Sequence, residues 1–418
     1  MSTDNALRDV VIVGASLAGL NAAKTLREEG YDGSLTVIGD EREHPYDRPP
    51  LSKELLVGES APTDIALPGA QDLAVTWRLG EPAVALDARR RVVRTADGME
   101  IPYAGLVLAT GSGARSLPGF AVGAPHVHVL RTMADALRLR AALSADTRLL
   151  IVGCGFVGIE VASSARIRGA HVTVVGLDAP LEPAGPLAGA AATRLAEQAG
   201  VRLHVGRTVA AARFTEGVHR VELSDGTQVE ADHVVVAVGS VPNIGWLSGS
   251  GAELGDGVLC DEALRVVGVT DAVAAGDIVR WPNAAFGGRP MRIEHWSNAV
   301  EQGAAAARTL LRGDGATPFG TVPSFWSDHF GMRLQSVGLP RMADRFEVIA
   351  GTPEDGGFAA AAYAGDVLVG GVAYGMPRAL VAVRIKLARS GVPLEPAGPM
   401  HVPPAPGTGQ QEPGHRKE

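Results

Sequence analysis

At 418 residues the chain is too long for one ordinary hydrophobic core, and 53 glycines with a hydrophobic share of 46% suit two or three tightly turned α/β domains. A formal net charge of -8 sets aside nucleic acid and anionic membrane as general partners, and no apolar run is long enough to span a bilayer. The 2 cysteines, Cys154 and Cys260, have neither CxxC nor CxxxxC spacing, which argues for a reducing compartment and against a disulfide framework or a redox dithiol. Asp4 precedes a strand that begins by Val10, so no signal peptide is expected and the default location is cytoplasmic.

Val10-Val11-Ile12-Val13 predicts a buried strand, followed by Gly14-Ala15-Ser16-Leu17-Ala18-Gly19 and an amphipathic helix over Leu20–Glu29. A second strand ends near Asp40 and Glu41, which completes a βαβ dinucleotide fingerprint. Gly14 permits the tight turn, and Ser16 and Ala18 are small. Gly19 lets the helix lie close to the sheet, and its N-terminus offers N–H groups to a pyrophosphate. Asp40 or Glu41 is placed to accept from an adenosine ribose.

His44-Pro45-Tyr46-Asp47-Arg48-Pro49-Pro50-Leu51-Ser52-Lys53 is stiffened by its prolines and can be neither helix interior nor central strand. Such a crossing could hold Arg48 and Lys53 at fixed places over an electron-rich cofactor; alone it reads equally well as a rigid surface loop. Residues 61–104 read as loop and then short strands, with Val84 among them. Leu106 to Gly111, including Ala109 and Thr110, predicts a buried parallel strand ending in a glycine turn at the cofactor edge of a doubly wound sheet.

Arg131 precedes a helix over Met133–Leu143. Leu149 to Val152 then leads into Gly153-Cys154-Gly155-Phe156-Val157-Gly158, a helix over Ile159–Gly169 and a strand over Val172–Val175. This is a full GxGxxG in context, so one chain carries two dinucleotide sites, one for a flavin nucleotide and one for a nicotinamide nucleotide. Cys154 reads as a small packing residue. Glu160 is either a surface acid favoured by the helix dipole, or a group that reaches the nicotinamide or pairs with Lys53. Gly176 stands where an acid usually meets the NAD ribose, with Asp178 two residues on. No Arg or Lys follows closely to hold a 2′-phosphate, so NADH is favoured and NADPH stays open.

Short strands follow over 200–232, and Val234 to Asn243, containing Gly239, mirrors the earlier strand that ends in glycine. Val273-Ala274-Ala275-Gly276-Asp277 predicts a strand running into a backbone-plus-carboxylate site for FAD, with a capping aspartate as the plainer reading of Asp277. Glu294-His295-Trp296-Ser297-Asn298-Ala299 opens an Ala-rich helix to about Arg312, whose N-terminus suits an electron-rich ring edge. His295 needs no acid/base role in hydride transfer. Trp296 could stack near the flavin or plug a domain seam. Residues 321–395 form a separate unit, Val402 to Glu418 is expected to be a disordered tail, and no metal site is expected.

With these residues on the page, the chain resembles the FAD-dependent, NAD(P)H-linked ferredoxin reductases of the putidaredoxin and rhodocoxin reductase kind. These serve bacterial haem monooxygenases and aromatic-ring dioxygenases and are related to rubredoxin reductase and apoptosis-inducing factor. The resemblance rests on Pro45 to Lys53, Gly276-Asp277, Glu294 to Ala299, Phe325 to Asp328 and Gln335 to Gly338. It implies an α/β fold with two Rossmann-like domains, the NAD domain inserted in the FAD domain, plus a C-terminal α+β domain. The expected limits are 1–117 and 246–320 for FAD, 118–245 for NAD(P)H, 321–400 for the C-terminal domain and 401–418 for the tail. It implies FAD contacts from Arg48, Lys53, Arg131 and Asp277, and from the backbones of Ser16, Val84 and Trp296. Lys53 would lie near the flavin N5 edge, bridged to Glu160, with Trp296 and Trp326 on the nicotinamide and exit face. The implied activity is hydride transfer from NAD(P)H to FAD, then single electrons to an iron–sulfur ferredoxin. An NADH-binding sensor of the apoptosis-inducing-factor type, or a flavin oxidase or monooxygenase, are the competing classes.

Overall fold

The computed structural model describes residues 7–390. The first apolar run forms the centre of a five-stranded parallel sheet, in the spatial order Ala272–Ala274, Gly105–Leu108, Asp9–Val13, Ser34–Gly39 and Thr76–Leu79. Val10 to Val13 are all buried, in one core with residues of two helices and with Leu86, Val93 and Tyr103. The helices Leu17–Glu28 and Trp296–Arg312 pack on each other, and Gly303 makes this approach close: a Cβ there would lie 2.4 Å from the Ala18 carbonyl oxygen.

A second five-stranded parallel sheet runs Arg202–Val205, His171–Gly176, Arg148–Val152, His233–Val236 and Val127–His128. Ala272–Ala274 returns to the first sheet after this unit, so the second doubly wound domain is inserted in the first. Ser112–Ala114 leaves the first domain and Ser240–Pro242 re-enters it, side by side as an antiparallel pair. Each doubly wound unit also carries a three-stranded antiparallel meander, over 83–102 in one and 209–231 in the other. The third unit is an antiparallel sheet in the order Ser324–His329, Met332–Gly338, Val367–Tyr374, Gly357–Ala364 and Arg345–Thr352, with a helix over Val381–Ser390.

Several boundaries differ from the sequence reading for local reasons. Val234 to Asn243 is two strands, because Gly239 turns at φ 96° and lets the chain cross between domains. Both fingerprint helices begin earlier than expected, at Leu17 and Phe156, because the last three residues of each Gly-rich motif form the first helical turn. The expected tail, 401–418, lies outside the described residues. No helix among the described residues is long and apolar enough to cross a membrane.

The inserted domain carries a histidine cluster at the edge of its sheet. His126 stacks on His233 at 4.6 Å, His128 shares a hydrogen bond of 3.1 Å with His233, and Phe214 lies against both His126 and His219. Burial, aided by the neighbouring His233, pushes His128 down to about 4, and burial also lowers His219 and His233. A histidine kept neutral when folded takes up its proton on unfolding. Its contribution is therefore full above the unfolded value near 6.5 and is lost as pH falls toward the folded value. The thermal unfolding midpoint should accordingly drop between about pH 7 and about pH 5, and the paired change His128→Leu with His233→Leu should flatten that slope. An unchanged slope in the double variant would show that other groups govern acid stability.

Candidate functional site

The two fingerprint turns are built alike. A Cβ on Gly14 would sit 2.0 Å from the Ala109 carbonyl oxygen, and one on Gly153 would sit 2.2 Å from that of Ala237. Gly14 and Gly153 take φ of 123° and 112°, where a side chain is strained in any case. Gly19 and Gly158 seat their helices against Gly14 and Gly153, at 1.9 Å and 2.1 Å by the same measure. Neither helix has a side-chain N-cap, whereas the helix Met133–Ala142 is capped by Thr132. The first-turn N–H groups of both therefore stay open to an anion, and a Cβ on Gly155 would meet no atom within 4 Å. Val157 is exposed there, and Phe156 turns inward, its ring 4.6 Å from Phe325.

The Pro-rich crossing is tied down by backbone bonds from Asp47 N–H to the Ile65 carbonyl (2.7 Å) and from Leu67 N–H to that of Pro45 (2.9 Å). Its Arg48 guanidinium pairs with Glu41 at 2.6 Å and donates to the Arg131 carbonyl at 2.7 Å and the Ser16 hydroxyl at 3.3 Å. The Tyr46 hydroxyl donates to Glu41 and accepts from Met133 N–H at 2.9 Å, and burial drives its pKa upward. Glu41 is thus engaged on both oxygens, while Asp40 is exposed without a partner among the described residues. Arg131 pairs with Asp277 at 2.8 Å, so the inserted unit meets the returning half of the first domain at this rim.

Glu160 overturns its reading as a surface acid. It is 6% exposed, because the residues it needs come from far along the chain. Lys53 Nζ lies 2.8 Å from its carboxylate; the Ser52 and Ser327 hydroxyls donate at 2.5 Å and 2.6 Å, and Asp328 N–H at 3.3 Å. Lys53 also donates to the Pro49 carbonyl at 3.1 Å. Around this pair, Ser164 donates to the Ser52 carbonyl at 2.6 Å and Arg168 to that of Val57 at 2.9 Å.

At the third face, Trp296 is 37% exposed, donates to Asp47 at 2.7 Å and meets the Trp326 ring at 6.2 Å. The His295 ring packs at 4.8 Å on Phe325, burial pushes it down to about 4, and its Nδ1 is buried without a partner. Gln302 accepts from Gly276 N–H at 2.9 Å through its oxygen, while its Nε2 and the Asn298 Oδ1 are buried and unpartnered. Gly276 itself lies against Ala18, where a Cβ would come within 3.0 Å. Uncapped helix starts, close-packed glycines and these orphaned polar atoms fit a dinucleotide along the first turn.

Thr110 exchanges bonds with Asn243, through its hydroxyl to the Asn243 carbonyl at 2.7 Å and from the Asn243 amide at 3.0 Å, and Asn243 N–H donates to the Gly111 carbonyl at 2.9 Å. The glycine-ended segments thus lock the crossover. Val84 is 45% exposed on the first meander, and no side-chain bond draws it to the cluster. Sequence reasoning missed Ser52, Ser327, Arg292 and Glu294. Glu294 accepts from Ser112 at 3.3 Å and from Ser240, joining both crossover strands, and also pairs with Arg292. Arg292 in turn donates to the Asp277 carbonyl at 3.0 Å.

Removing the carboxylate strands a buried ammonium, so Glu160→Ala should lower unfolding free energy by roughly 3–5 kcal/mol. Glu160→Gln, which keeps a carbonyl for the serines, should lose less. Urea denaturation reads both, and a Glu160→Ala curve superimposed on the parent would mean that the pair contributes nothing.

Residues 8–303 match the pyridine nucleotide-disulphide oxidoreductase family and residues 324–398 the reductase C-terminal family. The chain is 35% identical to rhodocoxin reductase of Rhodococcus erythropolis, over 93% of this chain and 91% of that one. It is 37% identical to the anthranilate 1,2-dioxygenase system ferredoxin–NAD(+) reductase component of Burkholderia cepacia, over 92% and 95% respectively. The putidaredoxin reductase–putidaredoxin complex superposes with TM-score 0.85 at 31% identity, over 91% of this chain and 93% of that one. The chain belongs to the pyridine nucleotide-disulphide oxidoreductases, within their flavin-dependent branch of ferredoxin–NAD(P) reductases.

Proposed function

We propose that the protein takes a hydride from NADH, with NADPH as a second donor, and passes electrons singly to a small ferredoxin that feeds a haem monooxygenase or a ring-hydroxylating dioxygenase. The observation that carries this reading is the Lys53–Glu160 pair, which joins the domain of one nucleotide turn to the domain of the other. Bound FAD supplies what side chains lack, accepting a hydride and releasing electrons one at a time. Arg48, Arg131 and Asp277 would hold it, with Asp40 on its ribose, while Gly153, Gly155 and Gly158 would hold the nicotinamide nucleotide. Lys53, fixed by Glu160 and the Pro49 carbonyl, provides a preorganised positive charge at the seam, which stabilises negative charge that develops there. Burial pushes His295 and His329 down to about 4, so both are neutral near pH 7 and neither is suited to donate a proton.

The 2 cysteines are free and buried, one in each doubly wound domain, which supports direct electron transfer to the partner over a dithiol relay. The same thiols support a cytoplasmic setting. Trp296 and Trp326 line the face through which electrons would leave.

In an anaerobic stopped-flow experiment, NADH should bleach the oxidised flavin band within a turnover, and added ferredoxin should restore it. Lys53→Met should slow the bleaching by about tenfold or more while flavin stays bound. If neither NADH nor NADPH bleaches the flavin, the electron-transfer reading fails. A long-lived charge-transfer band with poor turnover would favour the sensor instead.

A further inference from the structure

In a doubly wound unit the dinucleotide ribose meets the residues that follow the second strand. The two units of this chain treat that place differently. In the first, the strand ends at Gly39, where a Cβ would lie 2.5 Å from the Ala15 methyl, and Asp40 follows directly. In the second, the strand ends at Gly176, where a Cβ would lie 2.2 Å from the Cys154 sulfur. Ala15 and Cys154 hold the same position in their turns, so each covers the final glycine; at Gly176 a side chain would have to displace the thiol.

The thiol does more than fill space. Cys154 Sγ donates to the Asp178 carbonyl at 3.0 Å, and the Cys154 carbonyl accepts from Leu181 N–H at 3.1 Å. The loop is folded back over Cys154, and its acid comes two residues after the glycine instead of one. The Asp178 carboxylate is exposed and has no hydrogen-bond or ion-pair partner among the described residues. A cation does stand at this edge: Arg207 N–H donates to the Gly176 carbonyl at 3.1 Å. Its guanidinium, however, pairs with Asp225 at 2.5 Å and donates to the Gly206 carbonyl at 3.1 Å.

We propose that Asp178, positioned by the Cys154 thiol, reads the ribose hydroxyls of the nicotinamide nucleotide, and that Asp225 withholds Arg207 from a 2′-phosphate. The site then selects the unphosphorylated nucleotide without an acid at position 176. A carboxylate accepts from two ribose hydroxyls and repels a phosphate dianion. Arg207, once freed, would reverse that preference. The inference rests on the reading of the Gly153–Gly158 turn as a nicotinamide dinucleotide site.

The test is isothermal titration of the FAD-loaded full chain with ADP-ribose and with 2′-phospho-ADP-ribose, which carry no nicotinamide and cannot react. The parent should bind ADP-ribose more tightly by about tenfold or more, the range of a charge-assisted hydrogen bond. Asp178→Asn should abolish that advantage, by weakening ADP-ribose and by relieving the repulsion of the 2′-phosphate, and Cys154→Ala should reduce it part of the way. Asp225→Asn should tighten 2′-phospho-ADP-ribose by about tenfold. Both carboxylates are on the surface, so unchanged thermal midpoints would keep these comparisons free of misfolding. An Asp178→Asn variant that keeps the parent affinities overturns the role of Asp178, and an unchanged 2′-phosphate affinity in Asp225→Asn overturns that of Arg207. If the parent binds neither probe, the nicotinamide site itself is misread and this inference falls with it. If the parent binds but the ratio is insensitive to all three changes, only the inference falls.

Discussion

One buried carboxylate sets the terms for the rest of the molecule. Glu160 sits in the helix Phe156–Ile167 of the inserted domain, yet its donors come from Ser52 and Lys53 of the first domain and Ser327 and Asp328 of the third. A desolvated charge is tolerated only when its oxygens are fully engaged. That requirement fixes three chain segments relative to one another more firmly than apolar contact would, since packing tolerates sliding and a hydrogen-bonded ion does not. The prolines contribute from the other side. Pro49 and Pro50 stiffen the turn that presents Ser52 and Lys53, and the Pro49 carbonyl takes a further bond from Lys53. The seam between the two nucleotide domains is therefore built around a charge pair whose geometry survives solvent exclusion.

The same economy appears in the two fingerprint turns. Each needs one glycine for its backbone angle and another for close packing, and each leaves its helix start without a side-chain cap. Open N–H groups in that setting are a cost to folding unless an anion satisfies them. The helix Met133–Ala142, by contrast, is closed by Thr132, while Pro186–Gln198 and Trp296–Arg312 also start without a side-chain cap.

Most of the architecture was legible because its signals are local. A strand, a Gly-rich turn and a helix fall within about thirty residues, and Gly, Pro and apolar runs mark them directly. Arg48, Lys53, Arg131 and Asp277 were legible as a group only through family resemblance; bonds link Arg48, Arg131 and Asp277 to one another, while Lys53 pairs with Glu160. What local signals could not carry was burial that depends on distant partners. Glu160 near a helix start looks solvated until Ser327, 167 residues on, closes over it. Glu294 and Arg292 are ordinary surface charges by composition, and only the return of the chain brings Ser112 and Ser240 to them. Gly176 read as a missing acid, whereas the structure gives a steric cause in Cys154, which needed the packing of two non-adjacent residues to be seen.

The crossover pair has an implication for how such a chain could arise and change. Ala114 and Ser240 face each other across the antiparallel strands, so the inserted unit begins and ends at one spot, a single strand spacing apart. Joining those two points would close the first sheet with a short turn and leave Ala272–Ala274 free to take its place beside Gly105–Leu108. The nucleotide-binding insert is in this sense a cassette. It can diverge in its choice of electron donor while the rest of the scaffold keeps its register, provided that its bonds to the other units are kept, Glu160 to Lys53, Ser52 and Ser327 and Arg131 to Asp277.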